Sequence, residues 1–143
     1  MQKPSSMKKF DLFFFGSLLL SAVGLYVGWD AMIETVSAQN AEAPTPLDPD
    51  MLGSVAIGGF FFGILLYIGL WFLISVLRIE FVKWVYIALV LYGLIQMPAG
   101  FTLAGGFNAL HIPSVLSTLL SLVSIWMLFR PDSKEWFAKK SER

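Results

Sequence analysis

A chain of 143 residues that is 57% hydrophobic and 14% charged is too apolar for an ordinary soluble domain of its size, and its mean hydropathy of +0.72 says the same. The formal charge is zero, and cysteine is absent, which excludes disulfides, thiolate metal sites, iron-sulfur clusters and thiol redox pairs. A single histidine excludes a bis-histidine haem within one protomer.

The chain opens with Lys3, Lys8 and Lys9, followed after Asp11 by an apolar run from Leu12 to Trp29. Two readings fit this start. A cleaved signal peptide is favoured by the basic opening and by the small residues around Ala38 and Ala43. A retained first span is favoured by the length of the run and by Asp30 and Glu34, which intervene before either cleavage site. Retention is the preferred reading. Ser17, Ser21, Gly24 and Gly28 share one narrow face of this helix and form a small-residue packing seam.

Residues 30–52 are expected as an outer loop. The stretch Asp30 to Asp50 holds five carboxylates and no Lys or Arg, and Pro44, Pro46 and Pro49 keep its second half extended or turning. Asp48-Pro49-Asp50 then reads as a helix start, with an N-cap aspartate, proline at the first helical position and a second carboxylate near the positive dipole end. From Gly53 to Leu77 there are twenty-five residues without a charge, long enough to cross the ~30 Å hydrocarbon core with some tilt. On this span Gly53, Ala56, Gly59 and Gly63 lie within about 120° of one another, and Gly59 with Gly63 forms a small-xxx-small pair suited to close helix packing.

A short turn, Arg78 to Lys83, leads to a third span at about 84–103. Pro98 lies inside it and is expected to kink or end the helix. A glycine-rich loop from Gly105 to His111 precedes a fourth span at 113–129, with Pro113 in its first turn. There Ser114, Ser117, Ser121 and Ser124 step by three and four, the spacing of a packing seam whose hydroxyls bond to the preceding turn or a neighbour. Residues 130–143 form an interfacial tail: Asp132 and Glu135 have capping-box spacing, Trp136 and Phe137 are expected in the membrane interface, and Lys134, Lys139 and Lys140 at the headgroups.

All ten Lys and Arg residues lie in the N-terminus, the Arg78 to Lys83 turn or the C-terminal tail, so four spans place them on one side. By the positive-inside rule that side is cytoplasmic. The expected architecture is therefore an all-α four-helix transmembrane bundle, a single domain over 1–143, multi-pass in the inner (cytoplasmic) membrane with both termini inside.

Chemistry is sparse. No span carries an ionisable residue at depth, which argues against ion-coupled transport and intramembrane acid-base catalysis. No nucleophile elbow, zinc-protease helix or phosphate loop is present. The polar constellation with most chemical content is on the outer side: Gln96, Asn108, His111, Asp30 and Glu34, which could line a shallow site if Pro98 opens a cavity, though loop solvation and helix capping account for them more simply. No catalytic, cofactor or metal residues are assigned, no cofactor is expected, and nucleic acid is excluded as a partner. The bilayer is the expected partner, with a membrane protein or a second copy as further candidates.

Gly58-Gly59-Phe60-Phe61-Phe62-Gly63, the span leading through Pro98 to a glycine-rich loop, and Leu128-Phe129-Arg130-Pro131 resemble a group of small four-helix bacterial inner-membrane proteins of unknown function. The likeness covers roughly Gly53 to Phe137. It departs at Gln96-Met97-Pro98-Ala99-Gly100, where that group implies a basic residue, and it implies no activity or site residue. The functional expectation is a non-enzymatic accessory subunit that packs with a partner helix or lipid. The alternatives are a small-molecule carrier or channel, discriminated by a cavity reaching the midplane, and a membrane-embedded enzyme, discriminated by His111 within hydrogen-bond reach of Asp30 or Glu34.

Overall fold

The computed structural model describes residues 2–103 and 105–141, and among these the chain is all-helical. Six α-helices follow in order: α1 (Ser5–Val27), α2 (Trp29–Ala41), α3 (Pro49–Trp71), α4 (Glu80–Leu103), α5 (Ile112–Leu128) and α6 (Pro131–Ser141). A π turn, Phe72–Val76, prolongs α3, and a 3-10 turn, Ala109–His111, introduces α5. Four stretches are long and apolar enough to cross a membrane: Ser5–Val27, Pro49–Val76, Glu80–Thr102 and Ala109–Leu128.

Local chemistry accounts for most of the boundaries. Asp48 caps α3 through its carboxylate, which accepts the Asp50 N–H at 3.0 Å, and Pro49 occupies the first turn, where its missing N–H costs nothing. Pro98 does not end α4, which continues to Leu103. The first part of the acidic segment, expected as a loop, is helical. Gly28 donates to the Gly24 carbonyl and accepts from Met32, each at 2.9 Å, so the hydrogen-bond ladder of α1 carries on into α2. Ala, Met, Glu and Gln sustain that helix until the prolines begin. Asn40 then clamps the turn, with its amide donating to the Leu47 carbonyl and accepting the Leu47 N–H, both at 2.8 Å.

The core is concentrated at the end of the bundle that holds both termini, here called basal. Phe10 and Phe14 of α1, Leu70 and Ile74 of the α3 rod, Tyr86 of α4 and Leu128 of α5 are buried together. The Phe14 and Tyr86 rings lie 5.5 Å apart, and Phe10 meets Tyr86 edge-on at 6.1 Å. Helix α6 folds beneath this cluster. Trp136 and Phe137, expected in the membrane interface, are buried in the core instead, because that apolar face covers the open bottom of the bundle. The Arg78 guanidinium stacks 3.5 Å from the Trp136 ring centroid. Arg78 has φ +56, the left-handed position of a helix C-terminus, where Ile79 N–H reaches back to the Leu73 carbonyl.

The Asp132 carboxylate reaches out of its own helix toward α1. It accepts the Ser6 N–H at 3.2 Å, so α6 caps the first turn of α1, whose N-cap Pro4 has no side-chain group to do so. The hydroxyls of Ser6 and Ser133 meet at 2.6 Å beside it. The side chains of Lys139 and Lys140, expected at the headgroups, lie outside the described residues.

A second basal contact explains the π turn. Asp11 pairs with Lys3 and accepts hydrogen bonds from Trp71 Nε1 at 2.8 Å and from the Ser75 hydroxyl at 2.5 Å. The extra residue per turn in Phe72–Val76 rotates Ser75 inward to that carboxylate.

Candidate ligand cavity

Toward the distal end the four long helices are not equally close. Helices α1 and α5 form the tightest pair. Ser17, Ser21 and Gly24 face Ser117 and the start of α5 along this seam: Ser117 Oγ donates to the Ser17 carbonyl at 2.7 Å and meets Ser21 Oγ at 2.7 Å. A Cβ built on Gly24 lies 3.3 Å from Pro113 Cβ, so glycine permits the approach. Deeper along α5, Ser124 Oγ bonds the Ser121 carbonyl at 2.7 Å and Tyr86 Oη at 2.8 Å. A Cβ on Gly28 meets only its own helix, the Gly24 carbonyl oxygen at 3.1 Å.

Gly59 and Gly63 differ from that pattern. A Cβ on either meets nothing within 4 Å, and the same holds for Gly93 of α4. Instead of seating a neighbouring helix, these glycines border a half-open cavity of about 430 Å³ between α1, α3, α4 and α5. Its depth is marked by Tyr67, Val90 and Ser121, next to the aromatic core. The wall holds hydroxyls but no Asp, Glu, Lys, Arg or His. Thr118 Oγ1 is bonded to the Ser114 carbonyl at 2.9 Å and Ser117 is engaged as described, whereas the Tyr67 hydroxyl on the same wall makes no hydrogen bond among the described residues and is left as a donor.

A vestibule of about 880 Å³ adjoins this cavity under α2. The two share Ser21, Phe60, Ser117 and Thr118 as lining, so they form one funnel from the distal surface to about mid-bundle. Glu34, Asn108 and His111 border the vestibule, whereas Asp30 and Gln96 are exposed elsewhere and are not on its wall. His111 is occupied structurally: Nδ1 accepts the Asn108 N–H at 3.2 Å, while Asn108 Oδ1 accepts the Leu110 N–H at 2.9 Å. Its ring packs against Phe101, centroids 4.8 Å apart. No bond or ion pair joins His111 to Asp30 or Glu34 among the described residues, nor do these contain a group of three His, Cys, Asp or Glu side chains placed to hold a metal.

Phe60 and Tyr67 were not singled out by sequence reasoning, although with Gly59 and Gly63 they continue one stripe of α3. The arrangement lacks a nucleophile paired with a base. What it offers is an uncharged recess with an acidic mouth. Four helices of this length and apolarity mark a helical membrane protein. No protein-family model, curated protein or solved structure matches the chain.

Proposed function

We propose that the chain crosses the cytoplasmic membrane four times with both termini inside, and that it is a binding or accessory subunit holding an apolar or amphipathic guest in the outward-opening funnel. The observation that carries this reading is the unfilled space beside Gly59, Gly63 and Gly93. Helices in lipid associate through close packing of small residues, yet these three stand apart while the basal end is packed solid. A lipid-like molecule suits a recess whose wall mixes apolar side chains with scattered hydroxyls and carries no charge.

The orientation rests on Lys3, Lys8, Lys9, Arg78, Lys83, Arg130 and Lys134, all at the basal end. A carrier reading draws on the depth of the funnel. It requires the basal aromatic core and α6 to open, so a binding role is the simpler use of a recess closed at one end. Catalysis finds no support in an inner wall without a base, with His111 at the mouth held in its cap.

The test uses purified protein in lipid nanodiscs and a neutral lipophilic dye, Nile red. Saturable binding by the wild type and its loss in Gly63→Leu are expected; a wild type indifferent to the dye and stripped bare of lipid in native mass spectrometry would refute the reading. Orientation is tested by single cysteines on the cysteine-free chain. Thr45→Cys is expected to react with an impermeant maleimide in intact cells and Lys134→Cys only after lysis.

A further inference from the structure

Resting on that reading of the funnel, we propose that its guest is a monocationic amphiphile, with the apolar body in the glycine-walled cavity and the cationic head held in the vestibule beside Glu34. The first argument is the polarity gradient. The inner cavity has no charged group on its wall, so a charge taken to its floor would lose its hydration without compensation. Only the apolar part of a guest gains by entering. Any charge must stop at the mouth.

The sign of that charge follows from the mouth itself. Between Lys9 and Arg78 there is no Lys or Arg, while Asp30, Glu34, Glu42, Asp48 and Asp50 all lie in the segment that covers the distal end. An anion approaching the funnel meets carboxylates and no counter-charge. A cation meets Glu34 on the vestibule wall, a carboxylate with no hydrogen bond or ion pair among the described residues. Asp30 lies one helical turn earlier on α2 and adds to the same field. His111, also on the vestibule border, spends Nδ1 on its cap and makes no ion pair with Glu34. Phe60, common to both compartments, places an aromatic ring at the depth where head and body meet, where a cation gains from the ring quadrupole.

Two probes of the same shape and opposite charge separate this inference from the one beneath it: tetraphenylphosphonium and tetraphenylborate, each used to displace Nile red from the full chain in zwitterionic nanodiscs, with empty nanodiscs as the partition control. The phosphonium is expected to displace the dye at concentrations at least tenfold below the borate. Glu34 is exposed on α2, so Glu34→Gln should fold normally; it is expected to weaken the phosphonium about fivefold, the worth of one partly solvated ion pair. Asp30→Asn combined with Glu34→Gln should bring the two probes level. Equal displacement in the wild type, a preference for the borate, no displacement by either ion, or a preference that survives the double variant overturns the cationic guest while the cavity stands. Failure of the dye itself to bind overturns the cavity reading instead.

Discussion

Two fully buried residues, Ser124 and Tyr86, make an asymmetric pair. The Ser124 proton goes to the Ser121 carbonyl, so in the contact between the two hydroxyls Tyr86 donates. Tyr86→Phe leaves Ser124 satisfied, at about 0.5–1.5 kcal/mol; Ser124→Ala takes the nearer partner from a buried phenol and leaves it the Ser121 hydroxyl alone, at about 1–3 kcal/mol, with the lower ends appropriate to a bilayer. Thermal unfolding in mild detergent should therefore rank Ser124→Ala below Tyr86→Phe, and the reverse order would refute the donor assignment. The glycines make a similar contrast. Gly63→Ala places its methyl in open space and relieves the backbone entropy cost of glycine, a gain of roughly 0.5–1 kcal/mol. Gly24→Ala pushes against Pro113 at 3.3 Å and should lower the melting temperature by prising α1 from α5. If both substitutions moved stability the same way, the distinction between packed and open glycines would fail.

Helix α6 is the element whose role the sequence left most open. An amphipathic segment with Trp136, Phe137 and flanking lysines has the same pattern whether its apolar face meets lipid or protein. The structure buries that face in the basal core, with α6 packed on α1 and α5. Trp136→Ala should then cost about 3–5 kcal/mol as a core truncation, whereas an interfacial tryptophan would cost little; unfolding measurements decide between them. The contact from α6 to α1 has a pH signature. Hydrogen bonding from Ser6, through its hydroxyl first and its amide after that, holds the Asp132 carboxyl below its ordinary value, outweighing partial desolvation. The docking contribution is thus fully present above the ordinary carboxylate range and is lost as pH falls through the lowered folded value. Amide exchange at Ser6 should stay protected from neutral pH down to about 4 and rise in stronger acid, and Asp132→Asn should abolish that step. Other elements were readable from local chemistry: the Asp48-Pro49 start of α3 and the four apolar helices all follow from composition, caps and length. The helical α2 was not, because acidic composition reports exposure and says nothing against a run of Ala, Met, Glu and Gln forming a helix. The π turn was illegible for another reason. Its register is fixed by Ser75 bonding to Asp11, sixty-four positions away, and no local pattern encodes that.

For the molecule as a whole, the glycine stripe of α3 was visible in the sequence, but its use was not. Whether Gly59 and Gly63 seat a helix or border a void depends on how α3 and α4 stand relative to the α1–α5 pair, a tertiary quantity. The burial pattern shows how they stand. Apart from Leu52, which lies near α2, the buried residues of the α3 rod are Leu70, Ile74 and Ser75, and those of α4 end at Val90. Both helices are therefore anchored at the base, and their distal halves lack the buried apolar contacts that raise the free energy of local opening. An unfilled, weakly held pair of helix arms should move, and a guest in the funnel should quiet it. Spin labels at Ser54→Cys and Ala99→Cys, on the distal arms, are expected to give a broad distance distribution in the empty protein that narrows with tetraphenylphosphonium or another bound guest. A basal pair, Val76→Cys and Phe81→Cys, should be narrow in both states. Distal distances as sharp as the basal ones without any guest would show that α3 and α4 are held rigidly apart, and the funnel would then be a preformed recess whose width does not respond to occupancy.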